Sequence, residues 1–142
     1  MTRYLGVDYG TKRVGLAISD GLGLTARPLQ VVARPAVVKR VQELHAEYTV
    51  TTVVVGLPTG LAGQEGASAA GARALGDELS AATGIPVEYL DERFTSNLAE
   101  EALLQSGMKR RERRETVDKV AAAIILQDYL DIRAAKGNHE AD

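Results

Sequence analysis

The run Thr51-Thr52-Val53-Val54-Val55-Gly56 constrains this chain more than any other stretch. A continuous β-branched run fits a strand buried on both faces, because it offers no polar alternation to turn toward water. Such a strand needs a packed layer on each side, and the parallel part of a sheet covered by helices supplies both. With 142 residues, 45% of them hydrophobic and 25% charged, the chain has material for one domain with a substantial core. Gly56-Leu57-Pro58 breaks the run, and a glycine-rich loop follows through Gly60, Gly63 and Gly66.

The amino-terminal stretch Tyr4 to Asp20 predicts two more strands. Leu5 and Val7 alternate with Tyr4, Gly6 and Asp8, and Val14, Leu16 and Ile18 alternate with Gly15, Ala17 and Ser19. Gly10-Thr11-Lys12 forms the turn between them, where Gly10 is free to take a positive φ. Gly6, Gly10, Gly15 and Ala17 leave room above the sheet beside Asp8, for a metal ion, a phosphate or another piece of backbone. A third strand is expected over Pro28–Ala33, and Pro35 suits the first turn of a helix carrying Val37, Val38, Val41, Leu44, His45 and Tyr48 at helical spacing.

An alanine-rich helix to about Thr83 follows the glycine-rich loop, with Gly84 at its cap and Pro86 just beyond. Val87-Glu88-Tyr89-Leu90 reads as the fifth strand. It runs into Asp91-Glu92-Arg93-Phe94-Thr95 and a short helix opened by the capping-box pattern Asn97 to Glu100 and closed by Gly107. A last helix is expected from about Glu115 to Ala135. The domain thus spans residues 1–136, with 137–142 as a flexible tail. Three meandering strands followed by βαβ units make a mixed α/β sheet with helices on its faces.

The absence of cysteine excludes disulfides and thiolate metal sites. Arg3 and Asp8 interrupt any leader-like start, and Val120 to Leu126 is too short to span a bilayer, so a cytoplasmic protein with no membrane partner is expected. The formal net charge of -2 conceals an asymmetry. Residues 1–40 hold seven basic and two acidic side chains, and the remainder hold ten basic and seventeen acidic. A basic face that accepts a polyanion is compatible with that split.

Three carboxylate positions carry the candidate chemistry: Asp8 at the end of the first strand, Asp91 and Glu92 at the end of the fifth, and Asp118 at the start of the last helix. Ala121, Ala122, Ile125 and Tyr129 follow Asp118 at helical spacing, so the acid heads an apolar, sheet-facing stripe. A carboxylate so placed is costly unless it is paired or binds a metal. Two plainer roles stand beside the metal one: a helix-start charge favoured by the macrodipole, or a partner for a nearby Arg or Lys.

Strand ends on one side of an open α/β sheet are where ligands usually bind. Like charges about 4 Å apart there repel by about 4 kcal/mol at an effective dielectric near 20, so a raised pKa or a bound cation is required. An all-oxygen donor set suits Mg²⁺ or Mn²⁺, which can activate water and stabilise charge on a phosphodiester in displacement.

Gly6 to Gly15, Val55-Gly56-Leu57-Pro58, Asp91 to Thr95 and Asp118 to Ala122 resemble, in order and spacing, the motifs of the YqgF/RuvX family. Its members are bacterial RNase H-like proteins described as Holliday junction resolvases or pre-16S rRNA nucleases. The resemblance covers about residues 3–130, and the four motifs together are specific. It implies an RNase H-like sheet of order 3-2-1-4-5 with strand 2 antiparallel, and a cytoplasmic metal-dependent nuclease. Its substrate would be precursor ribosomal RNA or branched DNA, and it would act as monomer or homodimer.

Carried onto this chain, the resemblance marks Asp8, Asp91, Glu92 and Asp118 as catalytic and metal-binding. Which of Asp91 and Glu92 faces the metal is left open. Lys12, Arg13 and Arg93 would hold phosphates, although Arg93 suits a salt bridge equally well. The basic segment Lys109, Arg110, Arg111, Arg113 and Arg114 would add backbone contacts or be a solvated loop. The chain departs from the family pattern in Thr59-Gly60-Leu61-Ala62-Gly63, where many members have Asn-Met-Asp-Gly.

Two other readings compete. Asp8-Tyr9-Gly10-Thr11 also resembles the phosphate loop of actin-like kinases, which close two such domains where this chain has one. A non-catalytic RNA-binding assembly factor would use the same fold.

Overall fold

The computed structural model describes residues 2–58, 65–91 and 110–140, with side chains in the last stretch described over 118–136. Five strands are present: β1 (Arg3–Asp8), β2 (Arg13–Ser19), β3 (Ala26–Ala33), β4 (Val50–Leu57) and β5 (Val87–Asp91). They form one sheet of order β3-β2-β1-β4-β5. β1 pairs antiparallel with β2 and parallel with β4, β2 pairs antiparallel with β3, and β4 pairs parallel with β5. The expected mixed sheet is therefore present, with the valine run in β4 between two parallel neighbours.

The alternation of β1 separates two cores. Leu5 and Val7 face a layer made by α1 (Val37–Tyr48) and α2 (Ala67–Thr83), where Val41, Leu44, Leu75 and Leu79 are fully buried. Tyr4, Ala17 and Val54 face α3 (Arg110–Glu140) through Ala122, Ile125, Leu126 and Leu130. β4 contributes Val53 and Val55 to the first core and Val54 to the second, which is why its apolar run has no gap.

A short 3-10 turn, Arg34–Ala36, carries Pro35 and precedes α1. Gly84 caps α2 at φ 73°, and its N–H donates to the Ser80 carbonyl. α3 is longer at both ends than its apolar periodicity indicates. It takes in Arg110 to Arg114, so the basic stretch from Arg110 onward is helix rather than a separate segment. Charged residues with good helix propensity extend a helix beyond its packed stripe, where hydrophobic spacing is silent. The expected short helix near Asn97 lies outside the described residues.

Gly10 does not use the conformational freedom that a turn glycine has. Among the described glycines, positive φ occurs at Gly23 and Gly84, not at Gly10. Gly10 is required instead for space, because a Cβ there would run into the carbonyl oxygen of Arg13 as the turn closes. The room above Gly6 and Gly15 is filled by helix backbone. A Cβ on Gly6 would lie 2.8 Å from the Ala122 carbonyl oxygen and from Leu126 Cβ, and one on Gly15 would overlap the carbonyl of Asp118. Two glycines on adjacent strands thus let α3 settle directly on the sheet.

A candidate acidic site at the carboxyl edge of the sheet

The parallel register carries β1, β4 and β5 to a common edge. Val7 lies beside Val55, and Leu57 lies beside Asp91, so Asp8 and Asp91 both end strands there. Their faces differ. Asp8 follows Tyr4 and Gly6 on the α3 face, whereas Asp91 has the parity of Val87 and Tyr89, which pack toward α1 and α2. Leu90 is the residue of that strand end that turns to α3. By alternation Asp8 lies on the α3 face, where Asp118 packs, and Asp91 has the parity of the opposite face. Glu92 lies outside the described residues.

Asp118 reaches this edge through close backbone packing. Asp8 is the register partner of Gly15, and Gly15 carries the Asp118 carbonyl against it, so one cross-strand step separates the two acids' backbones. Asp118 does not open the last helix, as the sequence suggests. It lies eight residues inside α3, beyond the first turn, where the macrodipole acts most strongly. The helix-start role is excluded on that ground.

Asp118 has a partner, Arg13. The Arg13 Nε–H donates to Asp118 Oδ2, in a pair whose side chains are 34% and 25% exposed. Arg13, Gly15 and Ala17 alternate onto the α3 face, since Val14 and Leu16 belong to the opposite core. The sequence held this signal: Arg13 heads the stripe of small residues that admits the helix. It was legible only once Asp118 was known to lie over Gly15.

The pair borders a cleft of about 240 Å³ lined by Gly10, Thr11, Lys12, Arg13 and Asp118. Lys12 is exposed on it. The backbone around it is braced, because the Arg34 N–H donates to the Lys12 carbonyl and Arg13 pairs with Ala33 across β2 and β3. Tyr9, directly after Asp8, leans to the other face, where a Cβ on Gly71 of α2 would enter its ring. Arg34 lies over the same ring at 5.8 Å and pairs with Glu78 at 3.3 Å. This anchoring holds the end of β1 and was not read from the sequence.

Arg93 and Lys109 lie outside the described residues. Arg110, Arg111, Arg113 and Arg114 belong to the first two turns of α3, the end of the helix that leads to Asp118. Among the described residues no cluster of three or more His, Cys, Asp or Glu side chains is arranged to hold a metal. Asp8 and Asp118 offer oxygen donors of the kind a hard divalent cation takes, with water and phosphate oxygens filling its other positions.

A five-stranded mixed sheet of order 3-2-1-4-5 with helices on both faces is an RNase H-like fold. The chain belongs to the RuvX Holliday junction resolvase family, whose model matches residues 2–132. A relative from Anaeromyxobacter sp. (strain Fw109-5), described as "Putative pre-16S rRNA nuclease", is 49% identical over 136 residues, covering 94% of this chain and 99% of its own. One from Lactococcus lactis subsp. lactis (strain IL1403), with the same description, is 42% identical over 139 residues, covering 94% and 97%. Among solved structures, Thermus thermophilus RuvC in complex with Holliday junction substrate superposes with a TM-score of 0.56 at 20% identity. That match covers 88% of this chain and 92% of the other, and it shows the shared fold.

Proposed function

We propose that this protein is a divalent-metal-dependent nuclease of the cytoplasm that hydrolyses phosphodiester bonds in precursor 16S rRNA. What supports the reading is that Asp8 is the register partner of Gly15, on which the Asp118 carbonyl packs, beside a cleft lined by Lys12, Arg13 and Asp118. Asp8, Asp118 and one of Asp91 and Glu92 would hold the ion. A bound Mg²⁺ or Mn²⁺ supplies water activation and neutralises charge developing on the phosphate. Lys12 and Arg13 hold the backbone phosphate at the cleft, and Arg110, Arg111, Arg113 and Arg114, in the first turns of α3, add further phosphate contacts. Phosphate contacts of this kind position the substrate without reading its sequence.

The test is a Mn²⁺-dependent cleavage assay on precursor 16S rRNA and on a four-way DNA junction, with Asp8→Asn and Asp118→Asn as controls. We expect RNA cleavage to fall by about 10³-fold or more in either variant, the scale of losing about 4 kcal/mol of transition-state stabilisation. Both variants should melt within a few degrees of the native protein. Retained cleavage would overturn the reading, and loss of folding would make the acid structural. The family's description favours a second reading, junction resolution, in which a two-fold dimer cuts two strands symmetrically. Preferential cleavage of the junction by a dimer would select it.

A further inference from the structure

We propose that Arg13 is a built-in counter-cation, exchanged from Asp118 to a substrate phosphate when a divalent ion binds, so that ion and nucleic acid bind cooperatively. The inference rests on the metal-site reading above. Its starting point is the ion pair itself: Arg13 Nε–H occupies Asp118 Oδ2, one of the oxygens that a cation would use. A guanidinium and a divalent ion cannot both take that oxygen at full strength, so each weakens the other.

The surroundings fit an exchange rather than a fixed strut. The Arg13 backbone is held in the β2–β3 ladder, and its carbonyl closes the Gly10 turn, leaving the side chain as the part able to move. That side chain is one-third exposed and lines the open cleft, alongside Lys12. A guanidinium leaving a carboxylate there has a phosphate as its natural new partner, since both acceptors suit its fork of donors. Linkage makes the effect reciprocal. An ion on Asp118 frees Arg13 for phosphate, and a phosphate that draws Arg13 away vacates Asp118 for the ion.

Calorimetric titration of Mn²⁺ into the whole protein, without nucleic acid, tests the first half. Arg13→Gln should bind Mn²⁺ about 2- to 5-fold more tightly than the native protein, the range for losing a partly exposed competing ion pair. Lys12→Gln removes a cation from the same cleft that makes no ion pair among the described residues, and should change affinity by less than about twofold. Arg13→Lys, which keeps the charge without the planar fork, should fall between. Thermal melting of each variant establishes that it is folded. Equal tightening in Lys12→Gln and Arg13→Gln would reduce the effect to bulk charge and overturn the exchange.

The second half is read from binding of labelled precursor rRNA in Ca²⁺ and in EDTA at matched ionic strength. Ca²⁺ should tighten binding by a larger factor in the native protein than in Arg13→Gln, and an equal factor would overturn the exchange. Two failures are distinguishable. If Asp118→Asn abolishes Mn²⁺ binding while Arg13→Gln binds no tighter, the exchange is wrong and the metal site stands. If Asp8→Asn and Asp118→Asn both bind Mn²⁺ like the native protein, the metal reading and the exchange fall together.

Discussion

The two faces of the sheet are built differently. The face covered by α1 and α2 interlocks large side chains, with Leu5, Leu16, Leu44, Leu75 and Leu79 among those fully buried. On the α3 face the strands present Gly6, Gly15 and Ala17, and the helix backbone rests on them. Large side chains hold layers apart, as in ordinary helix-on-sheet packing, while small ones draw them together. Only the second arrangement brings a helical carboxylate within a cross-strand step of one at a strand end. The larger apolar cluster lies on one face and the candidate chemistry on the other.

Leu75→Ala should break the first face at the greatest cost, about 2–5 kcal/mol by denaturant unfolding, because a fully buried leucine leaves a cavity. At temperatures where it remains folded, its Mn²⁺ affinity should match the native protein. Gly15→Ala should cost less, about 1–3 kcal/mol, since its methyl group forces α3 outward at Asp118. Its Mn²⁺ affinity should fall well before its fold is lost. If Leu75→Ala weakened the ion more than Gly15→Ala did, the division of labour between faces would be wrong.

Smaller effects sharpen the comparison. Gly84→Ala at φ 73°, remote from the α3 face, should lose about 1 kcal/mol with no change in ion binding. The smallest effect concerns α3 itself. Burial, and then the neighbouring Asp131, hold the Asp128 carboxyl above the ordinary aspartate range. A carboxylate with a raised folded pKa costs stability at every pH above that value, and the cost is relieved as pH falls through it toward the unfolded value near 3.8. Asp128→Asn should therefore melt slightly higher than the native protein at pH 7, by about 0.5 kcal/mol or less. The gap should close on acidification below the folded pKa, and a gap that widened there would reverse the assignment.

Strand alternation, the β4 valine run and the Gly84 cap made most of the architecture legible, because each is local. The limits of α3 were not, since its charged first turns lie beyond the apolar stripe that marks a helix in sequence. Asp8 and Asp118 could be named as acids worth watching, but three features depended on contacts between distant segments. These are the Arg13–Asp118 pair, the slot that Gly71 gives Tyr9, and the packing of Val87 and Tyr89 on one face and Leu90 on the other.

Residue order alone determined which segments become strands and helices, because side-chain periodicity and backbone freedom act over a few residues. Tertiary packing decided which helical acid's backbone lies on Gly15, the neighbour of Asp8, and which cation pairs with that acid. Those outcomes depend on how closely α3 approaches the sheet, a distance set jointly by Gly6 and Gly15 on one side and Asp118 and Ala122 on the other.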